Sequence, residues 1–212
     1  MTLMETSEMA ATDATRSLRA DARRNREAVL SAAGRLFAEQ GLEAQMPDVA
    51  KLAGVGVGTV YRHFPTKDDL IAALVGEGFE RLAEKARECL QLEDPWTGVA
   101  EFVRFSAQIQ AGDRGLCDIV GLRADITQAA AEAAGMPELL DQLVRRAQRD
   151  GSLRRDLTWE DVPMISCGLG SAIRQQVGPA TGRWPRLVEI IIDGLRAPGS
   201  VRLPRPAPPG QL

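Results

Sequence analysis

Apolar residues recur with a helical period along nearly the whole chain, and no segment keeps the strict alternation of β-branched and polar residues that a half-buried strand needs. That pattern predicts an all-α fold of about nine helices. From about Asp21 to Gln40, Val29, Ala32, Ala33, Leu36 and Phe37 form one apolar stripe, and Gly41 stands where a helix-closing glycine belongs. A short helix begins at Pro47, a good first helical position, and turns Val49, Leu52 and Ala53 inward before Gly54. A third covers Val57 to Phe64. Thr66 opens a long helix, with Asp69 at capping-box spacing, that runs to the break at Glu93-Asp94-Pro95. Further helices are predicted over Trp96–Gln110, Leu116–Ala134, Pro137–Arg149, Thr158 to about Val177, and Trp184–Arg196.

These elements divide the chain into a three-helix module over 20–65 and a larger helical body over 66–197. Residues 1–19 read as a disordered leader. Its end and the start of the module are basic: Arg16, Arg19, Arg23, Arg24 and Arg26 face only Asp21, which also suits an electrostatic handle on phosphate. Residues 198–212, rich in proline and glycine, read as a disordered tail.

A chain of 212 residues buries roughly 70% of its unfolded surface, enough for a core without staples. No apolar run approaches the ~20 residues that span a bilayer, and the first residues lack the basic and apolar regions of a secretory signal. A cytoplasmic protein is expected. Cys89, Cys117 and Cys167 are odd in number and widely spaced, which fits reduced, buried thiols and no zinc framework. His63 is the single histidine, so no two-histidine metal site can form, and no carboxylate at helical spacing orients it as a catalytic base. Neither enzyme activity nor a cofactor is expected. Of 26 basic residues only Lys51, Lys67 and Lys85 are lysines, a bias typical of a GC-rich genome.

Within the module, Pro47 to Phe64 has helix–turn–helix spacing. Ala50 allows close helix approach, Gly54 permits the tight turn, and Val55 and Val60 fill the angle between the helices. With Val60 and Phe64 inward, Val57, Thr59, Tyr61, Arg62 and His63 lie on or beside the outward face, offering groups that suit phosphate oxygens and base edges. Gly54, Gly56 and Gly58 are not a phosphate-binding P-loop, since the Gly-Lys-Ser/Thr ending and a preceding strand are missing.

Residues Arg24 to Leu70, with Phe37-Ala-Glu-Gln-Gly41, Val49-Ala50, Ala53-Gly-Val55 and Gly58-Thr-Val-Tyr-Arg-His-Phe-Pro-Thr-Lys-Asp-Asp-Leu70, resemble the N-terminal DNA-binding domain of the TetR family of transcriptional regulators. The resemblance implies a homodimer that sets each third helix in a major groove of a palindromic double-stranded operator. Thr59, Tyr61 and His63 would touch DNA and Lys67 would grip phosphate; Arg24, Val57 and Arg62 complete the DNA-facing set. Many family members carry Ser at the position of Gly56 and a Ser or Thr cap where this chain has Gln45-Met46-Pro47, so no phosphate contact is expected from Gly56.

The resemblance also implies that the body binds a small effector and makes the dimer. Pocket candidates are Phe79, Trp96, Phe102, Phe105, Leu116, Ile119, Leu122, Leu143 and Met164, with core packing as their competing role. Dimer candidates, on the last two helices, are Val162, Ile165, Leu169 and Ala172 with Leu187, Val188, Ile191 and Leu195. The alternative is that both stripes face their own core. Arg145, Arg146 and Arg149 read as a solvated face. The expected function is a ligand-responsive repressor whose Thr66 helix tilts on effector binding; the competing reading is a helical protein–protein adaptor.

Overall fold

Nine α-helices and one short 3-10 turn (Gly41–Glu43) make up the regular structure of the described residues: α1 (Leu3–Gln40), α2 (Met46–Ala53), α3 (Val57–His63), α4 (Lys67–Gln91), α5 (Pro95–Gly112), α6 (Ala124–Ala133), α7 (Met136–Asp150), α8 (Asp161–Arg174) and α9 (Trp184–Leu195). A computed structural model describes residues 3–112, 120, 122–174, 183–198 and 201–204, with side chains from Ala20 onward except Arg174.

Helix α1 begins at Leu3 and not near Asp21, which corrects the expectation of a disordered leader. Residues 3–20 contain no Gly or Pro and are rich in Ala, Met, Leu and Glu, so nothing in them stops a helix that the Val29–Phe37 stripe has anchored. Helix α4 starts as its spacing predicts. The Thr66 hydroxyl accepts from the Asp69 N–H at 3.1 Å, and the Asp69 carboxylate accepts from the Thr66 N–H at 2.9 Å, closing a reciprocal cap. Asp94 opens α5 in a similar way, accepting from the N–H groups of Trp96 and Thr97 at 3.2 and 3.1 Å. The helix expected over Leu116–Ala134 is interrupted at Arg123, whose φ of −124° and ψ of 67° lie outside the helical region, and α6 starts after it.

Two apolar cores stack along α4. The first joins Val29, Ala33 and Phe37 of α1, Val49 and Ala50 of α2, Val60 of α3 and Phe64 to Leu70, Ile71 and Val75 of α4. The second joins Ala83, Ala86 and Cys89 of α4 to the buried faces of α5, α7, α8 and α9. Phe79 packs against both. The first half of α4 thus completes the three-helix module, and the boundary expected after residue 65 falls inside that core.

Of the described glycines, Gly98 in α5 has the tightest surroundings: a Cβ there would stand 2.7 Å from the carbonyl oxygen of Cys89 in α4. Arg146 is not part of a solvated face. Its guanidinium reaches the C-terminal end of α4 and donates to the carbonyl oxygens of Leu90 (3.0 Å), Leu92 and Glu93 (3.1 Å). Arg145 pairs with Asp141 one turn away.

The end of the described chain is tied down, which corrects the reading of 198–212 as wholly disordered. A single antiparallel bridge joins Leu153 to Arg196, and beyond it the Leu203 N–H donates to Asp156 at 2.7 Å. Arg154 holds the same carboxylate at 2.7 and 3.0 Å and donates to the Val201 carbonyl oxygen. Residues 205–212 of that expected tail lie outside the described residues.

Candidate nucleic-acid interface

Gly54 closes α2 with φ +69°, a left-handed conformation that favours glycine, and the Val55 N–H returns to the Ala50 carbonyl oxygen at 3.1 Å. This turn sets α3 across α2. Ala50 and Val60 are fully buried at the crossing, and Val55 packs beside them. With Val60 and Phe64 inward, the outer surface of α3 carries Val57 (42% exposed), Tyr61 (45% exposed) and Arg62, with Thr59 and His63 half-buried at its flanks. A phenol, a guanidinium, a hydroxyl and an imidazole share about two helical turns, with no acidic side chain among residues 56–67. Such a surface can donate to phosphate oxygens and to base edges in a major groove.

Lys67 stands at the start of α4 beside this face, half-buried rather than extended. Its ammonium donates to the Leu42 carbonyl oxygen and lies 5.9 Å from the centre of the Phe37 ring. An ammonium has three donors, so two remain for another acceptor, but the residue also braces α4 against the end of α1. Arg24 is exposed and forms an ion pair with Asp21; Arg23 pairs with Glu27 at 3.6 Å. The basic arm is therefore partly neutralised within α1, and Glu27 is a second acid the sequence reading did not set against it. Arg26 stacks over the Phe64 ring at 5.6 Å and pairs with Glu77 of α4 at 3.2 Å. Helical period alone does not bring residues 26, 64 and 77 together.

Of the pocket candidates, Phe102 and Leu143 line one small apolar void, and the other described ones do not join them there. Trp96, Phe102 and Leu143 are buried in the body core, and Phe79 and Phe105 are half-buried. Leu122 and Met164 are 65% and 73% exposed, so they line no interior site; the first sits beside the break at Arg123, and the second is on the outer side of α8. Leu116 and Ile119 lie outside the described residues. Between α5, α7, α8 and α9 there is a wholly apolar void of about 10 Å³, lined by residues such as Phe102, Leu143, Val162 and Leu195. That volume holds about one water, whereas a ligand of drug size needs roughly 300 Å³ or more.

The dimer candidates divide by burial. Val162, Leu169, Val188 and Leu195 belong to the subunit's own core, and Ile165, Leu187 and Ile191 are half-buried against it. Ala172 is half-buried. The stripes chosen by spacing therefore face inward. The large apolar side chains left outside on these helices are Met164 and Ile190, the latter 56% exposed, and Cys167 is exposed as well, which corrects the expectation that its thiol is buried. Among the described residues no group of three His, Cys, Asp or Glu side chains could hold a metal ion, and no helix is long and apolar enough to cross a membrane.

Residues 29–74 match the family model described as "Bacterial regulatory proteins, tetR family", and residues 94–197 match "Transcriptional regulator SbtR-like, C-terminal domain". An HTH-type transcriptional regulator of Staphylococcus aureus is 46% identical over 54 residues, which are 25% of this chain and 29% of that protein. The chain is 38% identical to a TetR transcription regulatory protein of Mycobacterium vanbaalenii, with a TM-score of 0.60 over 84% of this chain and 99% of the other. A TetR regulator of Streptomyces coelicolor is 27% identical, with a TM-score of 0.58 over 81% and 98% of the two chains.

Proposed function

The chain belongs to the TetR family of transcriptional regulators, and from that premise we propose that it is a ligand-responsive repressor binding a palindromic operator as a homodimer through α3. The observation that carries the reading is the outward display of Tyr61 and Arg62, flanked by Thr59 and His63, on a helix held rigidly by a buried Val60. Val57 offers a methyl surface to a base edge, Arg24 reaches backbone phosphate from α1, and Lys67 supplies a cation at the edge of the groove. Because this chemistry acts on DNA, the protein works in the cytoplasm.

Dimerisation is assigned to the outer sides of α8 and α9, where Met164 and Ile190 leave apolar surface uncovered. Two such helices from each subunit form a four-helix interface. Light scattering on wild type and Ile190→Arg tests this: a dimer that the substitution weakens is expected, and a monomeric wild type at micromolar concentration defeats it. The effector enters the body by opening the apolar core among α5, α7, α8 and α9, since a void of about 10 Å³ does not hold a ligand as it stands. No exposed acid or amine lines that void, so the buried part of the effector is apolar.

The test of the whole reading is selection of bound fragments from the source genome, with Tyr61→Ala/Arg62→Ala as control. Both side chains are exposed, so the variant keeps its fold. A recurrent palindrome enriched by wild type alone supports the reading. No enrichment at low salt by a folded dimer would transfer α3 to a protein-binding role, that of a helical adaptor.

A further inference from the structure

The break between residues 122 and 124 places one guanidinium at the junction of the three-helix module and the body. Arg123 donates from Nη1 and Nη2 to the two oxygens of Asp68, at 2.7 and 3.1 Å, and from Nε and Nη2 to Asp125, at 3.2 and 3.1 Å. Asp68 is the second residue of α4, directly after Lys67 and within the turn that Thr66 and Asp69 cap. Asp125 is in the first turn of α6. Around the same junction Val120, Ile126 and Ala130 pack against the core that holds α3.

We propose that Arg123 is a positioning residue for DNA binding: its two-carboxylate clamp joins the first turn of α4 to the first turn of α6. The recognition helix and α6 then move as one piece. This rests on the DNA-binding reading for its purpose but not for its geometry.

Single ion pairs on a surface contribute little, because water screens them and two long side chains must be ordered. This one differs in its geometry: the contact to Asp68 is bidentate and a second carboxylate fixes the remaining edge of the guanidinium, with Arg123 itself 23% exposed although Asp68 and Asp125 are 63% and 69% exposed. Hydrogen bonding to Arg123 holds both Asp68 and Asp125 below the usual carboxylate range. Arg123 has a non-helical backbone at the start of α6, and its side chain reaches the first turn of α4. A body movement that shifts α6 therefore pulls on the residue next to Lys67 and, through the Thr66 cap, on the end of α3.

The experiment is carried out on the full chain. Spin labels at Leu52→Cys on α2 and Gln142→Cys on α7, both exposed positions, are introduced in a Cys117→Ser/Cys167→Ser background that keeps the buried Cys89. Pulsed electron resonance then reads the module-to-body distance in protein diluted with unlabelled chains. Wild type should give one narrow distribution, and Arg123→Gln and Asp68→Asn each a broader or shifted one, with the double variant no worse than either alone because both remove the same contact. For a genomic fragment enriched as above, Arg123→Gln should change affinity by about 2- to 30-fold, the usual range for a residue that modulates coupling between sites. Superimposable distributions for wild type and Arg123→Gln, even with a lower melting temperature, would reduce Arg123 to an ordinary structural contact. Fully additive effects of Arg123→Gln and Asp68→Asn would also overturn the proposal. If the distances respond as expected while wild type binds no DNA, the clamp stands and the DNA-binding reading fails.

Discussion

Gly98→Ala adds one methyl where α5 passes close to the main chain of α4, and the structure sets the sign of its effect. Alanine is the better helix former by about 1 kcal/mol, so in an open helix the substitution should stabilise. At Gly98 the new carbon would lie 2.7 Å from the Cys89 carbonyl oxygen, 3.5 Å from its carbonyl carbon and 3.8 Å from the Leu143 Cδ2. The first contact is with main chain at the end of α4, which cannot swing aside as a side-chain tip can. Overpacking of this kind costs about 1–3 kcal/mol, and a backbone obstacle puts Gly98 in the upper half of that range. The net loss is then about 1–2 kcal/mol, or roughly 2–8 °C in Tm for a chain of this length. The assay is thermal unfolding followed by circular dichroism, with Gly76→Ala in α4 as control, because a Cβ there meets nothing within 4 Å. Gly76→Ala should match or exceed wild type. If Gly98→Ala is as stable as Gly76→Ala, α4 and α5 can separate freely and the close approach is not a constraint.

Thr66→Ala should cost about 0.5–2 kcal/mol through loss of the α4 cap, with α3 and α4 exchanging amide hydrogens faster while the body core is unaffected. Acid should loosen the C-terminal tie. The Asp156 carboxyl is held well below the usual carboxylate range by Arg154 and by the Leu203 N–H, so its contribution is complete above the unfolded value of about 3.9 and fades as pH falls from there toward the folded value. Urea midpoints measured from pH 6 down to pH 2.5 should drop less for Asp156→Asn than for wild type; parallel curves would show that the tie carries no stability. Burial pushes the Cys89 thiol up, so the Cys117→Ser/Cys167→Ser protein should give no reaction with a thiol reagent at neutral pH until denaturant is added. Rapid native labelling would mean that the α4–α5 crossing opens.

Local signals in the sequence were sufficient for the fold class, for most helix ends and for which side chains α3 exposes. The Thr66–Asp69 cap, the turn at Gly54 and the burial of Val60 involve residues within a few positions of one another, and helical period alone assigns Tyr61 and Arg62 outward once Val60 is inward. Period does not say which of two apolar-looking sides of a helix meets its own subunit. That is why Val162, Leu169, Val188 and Leu195 face inward while Met164 and Ile190 are left outside. Nor does it register contacts across long separations: Arg123 with Asp68, Arg146 with the end of α4, and Arg26 with Phe64 and Glu77 arise from how helices cross. The length of α1 depended on the absence of any helix stop before Ala20, and the break at Arg123 on a backbone conformation held by ion pairs to two helices. The sequence by itself determined which residues α3 offers to a partner, because neighbours along one helix share a geometry that needs no other part of the chain. The tertiary structure alone decided how that helix is tied to the body, because the tie joins side chains 55 positions apart in sequence that only packing brings within hydrogen-bonding distance.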